Sequence, residues 1–261
     1  MIRSLILYLS GLDPIFAGLF IVILPSILIM LLTVIVRIYF GYDRLVINNQ
    51  LAGIKFGILG MSYVMLLTFA TISVWEKFSL AQSAVLEEAS SARALYIIAK
   101  GDMKEQIQVR NSVKNYLYLA IYKGWPLMAV EKDSDETSKA LENLYSSAVD
   151  LDEVGSSTTQ VASELFKHID KINASKVIRT NLSKGIVPDV LWFILFIGAI
   201  LTIGFTLFFG GENVFIQTIM TGITSMVMLM ALLIIISFDH PFTGEVSISS
   251  EPLQSVLNEM P

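Results

Sequence analysis

Four long apolar blocks dominate the pattern of hydrophobic and polar positions along this chain of 261 residues. Each block has the roughly 20 residues that a helix needs to cross about 30 Å of hydrocarbon. The blocks cover residues 15–36, 54–75, 188–209 and 214–238. The pattern therefore predicts an all-α polytopic membrane protein with four transmembrane helices and a helical soluble domain inserted between the second and third spans.

The second apolar block passes into a polar helical pattern without a break. No Pro or Gly interrupts the sequence from Gly60 to Tyr96, where the apolar run gives way to a segment rich in Ala and Glu. We therefore expect one rigid helix that starts in the second span and ends near Lys100. Around a symmetry axis, helices of this kind can line a pore.

The segment of residues 77–187 is predicted to be helical throughout. After the continuation of the second span, Gly101 breaks the pattern, and a second helix over residues 103–123 ends at Gly124-Trp125-Pro126. A third helix, capped by Ser134 or Asp135, runs to about residue 149, and a fourth covers residues 160–183. Polar linkers at residues 131–136 and 155–159 separate these helices, which together bury one small core.

These elements predict four regions along the chain. They are an N-terminal segment with two spans (1–76), the soluble helical domain (77–187), two further spans (188–238) and a C-terminal tail (239–261). An even number of spans places both termini and the helical domain on one side of the membrane. The hairpin at residues 210–213 is expected to be tight because Gly210 and Gly211 tolerate backbone angles that other residues avoid.

The composition agrees with a multi-pass protein of the cell (inner) membrane, since 54% of the residues are hydrophobic. Which side carries the helical domain stays open, because Lys and Arg favour the cytoplasmic side mainly in short loops. The first loop is flanked by Arg37, Arg44 and Lys55, which favours a cytoplasmic loop and a helical domain on the outer side. The helical domain also carries basic residues before the third span, and these favour a cytoplasmic domain: Lys176, Arg179 and Lys184.

The inventory of chemically reactive residues argues against an enzyme and predicts no cofactor. The chain has no Cys and two His, so it lacks a thiol nucleophile and the ligands of a structural zinc site. It contains no phosphate-binding glycine loop, no nucleophile elbow and no H-E-x-x-H motif. Glu164 and His168 are four residues apart on a predicted helix, which is typical of a solvated surface pair. A net charge of −5 with scattered basic residues argues against nucleic-acid binding.

Small residues mark the start of the second span. Gly53, Gly57 and Gly60 have a spacing that lets membrane helices approach closely, which favours tight packing against another helix or subunit. The alternative is that these glycines are merely tolerated in a helix that faces lipid.

The second span and its continuation carry one stripe of side chains about 80° wide at 100° per residue. The stripe is apolar in the membrane half and mixed from Ser73 onward, and it contains Met65, Phe69, Ser73, Glu76, Leu80, Ser83, Glu87 and Ser91. The opposite face is predicted to pack and contains Trp75, Phe78, Val85 and Ala89. The stripe is interpreted either as a pore lining or as the polar face of an ordinary amphipathic helix.

Several short motifs resemble those of a known family. The block from Leu66 to Phe78 is similar in type and order to a bacterial bestrophin signature, with Phe69, Thr71 and Ser73 matching outright. Departures from the signature occur at Ala70, where bestrophins have Arg, and at Ile72, where they have Asn. The chain resembles the bestrophin-like family of bacterial membrane proteins more fully, over roughly residues 50–252. The motifs shared with that family are Val74-Trp75-Glu76, the helix from Glu88-Ala89 to Leu95-Tyr96, Trp125-Pro126-Leu127-Met128 and Asp239-His240-Pro241-Phe242-Thr243-Gly244.

This resemblance implies a concrete function. Bestrophins are pentameric ion channels with an apolar pore neck on the second span, and the neck Phe aligns with Phe69, preceded in register by Met65 and Met61. An apolar ring of this kind gates by dewetting. Eukaryotic bestrophins also bind calcium near the end of the last span, where Asp239 is the single candidate that the motif supports, and a weak one.

Two hypotheses about function therefore remain. In the first, the chain is an oligomeric ion channel, a homopentamer in the bilayer, with Met61, Met65 and Phe69 as the neck. Ser73 and Glu76 would form a wider polar section, and a ring of Glu76 carboxylates favours cations slightly. In the second, the chain is a non-conducting membrane sensor or scaffold whose helical domain binds a partner.

Overall fold

A computed structural model describes residues 2–47, 49–153 and 159–260 of the chain. Within these residues the protein is helical, and no strand occurs. The predicted linker at residues 155–159 lies outside the described residues, apart from Thr159. The α-helices are, in chain order, α1 (Ile2–Ser10), α2 (Pro14–Gly18), α3 (Leu24–Phe40), α4 (Tyr42–Val46), α5 (Asn49–Ile98), α6 (Lys104–Leu119), α7 (Trp125–Met128), α8 (Asp135–Glu153), α9 (Thr159–Leu182), α10 (Asp189–Thr206), α11 (Val214–Asp239) and α12 (Glu251–Glu259).

Helix α5 is a single element of 50 residues, as the sequence predicts. It has no break between Trp75 and Ala81, and it ends at Ile98, just before the predicted stop at Gly101. Helix α8 begins where expected, because the Ser134 hydroxyl accepts a hydrogen bond from the backbone N–H of Thr137 at 3.2 Å.

Two wider π-helical turns occur, at Leu19–Ile23 and Ala120–Gly124, and a proline follows each of them. In the second turn the Trp125 N–H bonds to the carbonyl of Ala120, five residues back, ahead of Pro126. This arrangement relieves the clash that a proline ring causes in a regular helix. The prediction that Gly124-Trp125-Pro126 ends the helix is therefore wrong, since helical structure continues to Met128.

The chain divides into two compact units. The apolar unit contains Met1–Glu76 and Val187–Asp239, and the helical unit contains Lys77–Ile186 and His240–Pro261. In the part of the chain that the structure describes, four helices are long and apolar enough to cross a bilayer, at Pro14–Phe40, Asn49–Ile98, Asp189–Thr206 and Val214–Asp239. These helices mark the chain as a membrane protein.

Close contacts inside the apolar unit form at glycines that the sequence analysis did not single out. A Cβ atom on Gly198 of α10 would lie 2.6 Å from the ring of Tyr63 on α5. The Tyr63 hydroxyl donates a hydrogen bond to the carbonyl of Leu195 at 2.9 Å, which seats the ring against α10. Gly222 of α11 is packed in the same way against the side chain of Met30 on α3. Small residues at these positions let the helices approach closely.

The loop between α10 and α11 is held by polar side chains from other helices. The Asn49 side chain accepts from the backbone N–H of Gly210 at 3.0 Å and donates to the Gly210 carbonyl. Neither Gly210 nor Gly211 has a positive φ, so the expectation that unusual backbone angles shape this hairpin is wrong. Gly210 instead provides space, because a Cβ atom there would lie 2.7 Å from Val46.

The helical unit has one continuous apolar core, which is built from α5, α6, α8, α9 and α12. Its most completely buried side chains include Leu95, Leu117, Leu144, Leu165 and Ile169. The C-terminal segment joins this core through Phe242 and Leu253. It is also held by polar contacts, since Trp125 Nε1 donates to the Ile248 carbonyl at 3.2 Å.

Candidate pore-lining helix and buried ion pair

The predicted neck residues lie on the exposed side of α5. Met61, Met65 and Phe69 are 73%, 58% and 67% exposed, and Ser73 and Glu76 continue the exposed stripe. Successive members of this stripe are three or four residues apart, so they follow one face of the helix. This face is not covered by the rest of the described chain.

The opposite side of α5 in the apolar unit is packed. Tyr63, Leu67, Ala70 and Val74 are buried there, at a spacing of three and four residues. Ala70 stands where the bestrophin signature has an arginine, and its small side chain belongs to this packed face. Packing within the apolar unit therefore covers this side of the span and leaves the side with Met61, Met65 and Phe69 exposed.

The predicted stripe does not extend as far as expected. Ser91 is buried, so the exposed stripe ends after Glu87. On the face predicted to pack, Val85 and Ala89 are buried, but Trp75 is exposed and contacts Phe238 edge-on, with ring centroids 5.4 Å apart. The prediction that Trp75 lies on the packed face of the helix is wrong for most of its side chain, which is exposed.

The glycines at the start of α5 have no close neighbour within the chain. A Cβ atom on Gly53 or Gly57 would meet nothing within 4 Å, and one on Gly60 would meet only the ring of Phe56 in the same helix. Packing against another helix of this chain is therefore excluded within the described residues. Packing against a second subunit, or exposure to lipid, stays open.

A buried ion pair links three helices of the helical unit. Glu88 on α5 and Arg179 on α9 are both almost fully buried. Arg179 Nε donates to Glu88 Oε2 at 2.9 Å, and Nη2 donates to Oε1 at 3.0 Å. Tyr116 on α6 donates its hydroxyl to the same Oε1 at 2.7 Å. The carboxylate thus has the two-pronged geometry that favours Arg over Lys, together with a further hydrogen bond.

Two further groups contact the Arg179 guanidinium. Its Cζ lies 4.8 Å from the centre of the Trp125 ring, within the range of a cation–π interaction. Nη1 lies 3.2 Å from the sulfur of Met128. Trp125 also packs edge-on against Phe242, with centroids 5.6 Å apart. The ion pair therefore contacts an aromatic pair, one member of which, Phe242, belongs to the C-terminal segment.

The electrostatic interactions in this cluster keep Arg179 and Tyr116 each in one protonation state. Burial alone would lower the pKa of Arg179, but the Glu88 carboxylate and then Tyr116 outweigh it, and the net pKa is raised. Burial raises the pKa of Tyr116 well above its ordinary value, and the Glu88 charge raises it further. Arg179 thus stays charged, and Tyr116 stays a neutral hydrogen-bond donor.

The sequence analysis missed this cluster, although a signal was present. Glu88 stands on the apolar side of α5 in the helical unit, in register with Ala81, Val85, Ala92 and Leu95. A carboxylate in that position requires a buried partner. Arg179 was counted only as part of a basic cluster before the third span, whereas it is buried and paired.

The remaining candidate residues belong to elements other than α5. Within the described residues, no three His, Cys, Asp or Glu side chains group as metal ligands. Asp239, the calcium candidate, is buried at the end of α11 and accepts the backbone N–H of Val187 at 2.7 Å. His240 lies beside Glu131, with Nε2 and Oε1 3.0 Å apart.

The Glu164–His168 pair has the geometry of a weak contact. His168 Nε2 lies 4.0 Å from Glu164 Oε2, and Lys167 Nζ lies nearer to the same carboxylate, 3.2 Å from Oε1. Burial lowers the pKa of His168, while Glu164 acts in the opposite direction. The arrangement offers no catalytic geometry.

Removal of one partner of the buried ion pair is expected to destabilise the protein strongly. Arg179→Met strands the Glu88 charge and should cost about 3–5 kcal/mol in the free energy of unfolding. The double variant Glu88→Leu, Arg179→Met should recover a large part of this loss, because no buried charge is left unpaired. Thermal unfolding of the detergent-solubilised protein measures both.

The exposed pair Arg93–Glu259 is the control, with a contact of 2.6 Å and half-exposed side chains. Arg93→Met should cost less than about 1 kcal/mol because solvent screens exposed pairs. If Arg179→Met unfolds at the same temperature as Arg93→Met, the buried pair is not a main determinant of stability.

Comparison with known proteins gives one family and a consistent set of folds. The fold is similar to that of a bacterial bestrophin homolog from Klebsiella pneumoniae solved by Zn-SAD phasing (TM-score 0.71, 16% identity, 91% of this chain and 95% of that chain covered). A mutant of the same homolog gives a TM-score of 0.72 at 15% identity with the same coverage. These identities show the fold alone, and no curated protein matches the chain. A family model described as Bestrophin-like domain matches residues 21–253, and the chain therefore belongs to the bestrophin-like family.

Proposed function

We propose that this chain is one subunit of an oligomeric bestrophin-like ion channel, and that the exposed stripe of α5 lines its pore. The observation that carries the proposal is the membrane helix α5, which is packed on one side and uncovered along Met61, Met65 and Phe69 on the other. Membership of the bestrophin-like family supports it, because bestrophins are ion channels. The proposed topology has four spans in the inner membrane, with both termini and the helical unit on one side.

The neck would form when symmetry-related copies of α5 face a common axis. Side chains of Met61, Met65 and Phe69 would then form successive apolar rings about one helical turn apart. Apolar constrictions control conduction by expelling water, so the size of the Phe69 side chain should set the barrier. Because one chain supplies one wall, the pore requires several copies, and we propose five.

The section beyond the neck would be polar. Ser73 and Glu76 follow Phe69 on the exposed stripe, and each copy would contribute one carboxylate to a ring. Rings of acidic side chains attract cations and repel anions. This is the basis for proposing a modest preference for cations.

The glycine-rich start of α5 is the proposed contact between copies. Gly53 and Gly57 are exposed, and a Cβ on either would meet nothing within 4 Å among the described residues, although their spacing suits close helix packing. A closed cyclic arrangement would bring each of these surfaces against the next subunit.

Phe69→Ala should widen the neck and raise the unitary conductance of the protein reconstituted in planar bilayers. The matched control is Val64→Ala on the same helix, since Val64 is 52% exposed but points about 140° away from Phe69. Val64→Ala should leave conductance unchanged. Equal conductance in the wild-type protein and Phe69→Ala would remove this stripe from the pore.

Glu76→Gln should shift the reversal potential under a salt gradient towards weaker cation preference, because each subunit loses one carboxylate near the permeation path. Glu142→Gln is the control, as Glu142 is exposed on α8 and is not part of the α5 stripe. Both variants remove one negative charge per subunit. An identical shift in both would mean that the effect arises from overall charge, not from a ring at Glu76.

Gly57→Leu should prevent assembly while leaving the fold of each chain intact, because a Cβ at that position would meet no other part of the described chain within 4 Å. Gly204→Leu on α10 is the control, since a Cβ at Gly204 also meets nothing. Native mass spectrometry of the wild-type protein should give five copies, and Gly57→Leu should give mainly monomer. A wild-type monomer in lipid nanodiscs would contradict the channel proposal.

The unbroken α5 also favours a second function. A helix of 50 residues that begins in a span suits a sensor or scaffold that passes a signal to a bound partner. This proposal replaces the first if the wild-type protein passes no ion under voltage, calcium or membrane tension.

A further inference from the structure

A cavity of about 620 Å³ lies in the apolar unit beside the loop between α10 and α11. Its walls include Phe56 on α5, Phe209 in the loop after α10, and Ile216 and Met220 on α11. Its volume is within the range of sites that hold small molecules, about 300–1,000 Å³. The lining is mainly apolar, with polar groups at the end near the loop.

The polar end of the cavity is rigid. The Gln217 side chain accepts hydrogen bonds from Arg37 Nη1 and from the Gly211 N–H, both at 3.1 Å, and donates to the carbonyl of Phe209. Arg37 also donates to the carbonyls of Gly211 and Glu212. These bonds satisfy the loop carbonyls internally, so the cavity does not depend on a bound molecule for its shape.

One of the threonines in the cavity wall is not hydrogen-bonded within its helix. Thr221 is 5% exposed, and its hydroxyl makes no hydrogen bond to any described residue. The other threonines of the wall do bond within their helices, Thr224 to the Met220 carbonyl at 2.9 Å and Thr206 to the Ile203 carbonyl at 2.6 Å. Because Thr221 lines the cavity, its hydroxyl is available to a ligand with a hydrogen-bonding group.

The rim of the cavity carries a negative charge. Glu212 lines the cavity, and no cation of the described chain lies within ion-pair distance of its carboxylate. Arg37 contacts the Glu212 backbone carbonyl only. A carboxylate at the end of a span normally faces water or a cationic partner. Thr221 lies on α11 about two helical turns from the loop, so it is deeper in the cavity than Glu212.

We propose that this cavity binds a phospholipid with a primary ammonium head group, such as phosphatidylethanolamine. The ammonium would pair with Glu212, an ester carbonyl would accept from Thr221, and an acyl chain would lie along Phe56, Phe209 and Met220. The exposed position of Ile216 and Met220 on a membrane span supports a lipid, because the hydrocarbon phase is in contact with such a face.

Native mass spectrometry of the full chain in detergent tests the site with lipids of equal chain length. Phosphatidylethanolamine should be retained more strongly than phosphatidylcholine or phosphatidylglycerol, at one lipid per chain. Thr221→Val removes only the hydroxyl and should weaken retention about two- to tenfold. Glu212→Gln should abolish the preference over phosphatidylcholine, and Thr221→Phe should fill the cavity and block binding.

Ile223→Phe is the control, because Ile223 is exposed on α11 and is not part of the cavity wall. It should retain phosphatidylethanolamine like the wild-type protein. The proposal fails if Thr221→Val and Glu212→Gln both bind the three lipids as the wild-type protein does. It also fails if Thr221→Phe changes the number of subunits but not lipid retention, because a second copy of the chain would then fill the cavity. Neither failure bears on ion conduction, which the Phe69 variant tests.

Discussion

The bidentate ion pair between Glu88 and Arg179 is the interaction on which the helical unit depends most. Two opposite charges are buried at the junction of α5, α6 and α9, and neither is tolerable there without the other. The surrounding core is mainly aliphatic, and aliphatic contacts tolerate small rotations of the helices. The hydrogen bonds among the planar guanidinium, the carboxylate and the Tyr116 hydroxyl do not tolerate such rotations, because they require one geometry. The pair therefore sets the register of three helices within this unit, and the cation–π contact with Trp125 extends that register to the C-terminal segment.

The apolar unit depends on a different constraint, the need to satisfy polar backbone groups without water. Helix ends and prolines are the points where regular bonding fails. Arg37 and Asn49 bond the carbonyls and N–H groups of the loop after α10, and the π-helical turn at Leu19–Ile23 absorbs the effect of Pro25. In lipid, an unpaired carbonyl at the α10–α11 loop would be more costly than the burial of part of an arginine. This explains why a charged residue at the end of α3 is used to close a loop between two other spans.

The sequence was sufficient for features that depend on local pattern. Apolar blocks of 20 residues predict spans, the lack of Gly and Pro after Gly60 predicts the unbroken α5, and Ser134 predicts the start of α8. Features that depend on distant partners were not predictable in this way. Glu88 and Arg179 are 91 positions apart, so the local pattern places each on an apolar helix face but does not show that they pair. The glycines illustrate the same limit. Gly53 and Gly57, which the sequence pattern singles out, have no close neighbour in the described part of the chain, whereas the isolated Gly198 fits against a tyrosine ring.

Glu76 is the residue that best separates the two interpretations of the exposed stripe. Apolar side chains such as Met65 and Phe69 are equally stable against lipid or in a narrow pore, so their exposure alone decides little. A carboxylate on the same stripe, two helical turns beyond Phe69, is costly against hydrocarbon and favourable in water. If the stripe faced lipid throughout, Glu76 would have to lie beyond the hydrocarbon edge. If it faces an axis shared by several copies, the apolar rings and the charged ring have separate roles, one as a barrier and the other as an attractive site for cations. The proposed pore thus gives every residue of the stripe an environment that its chemistry tolerates.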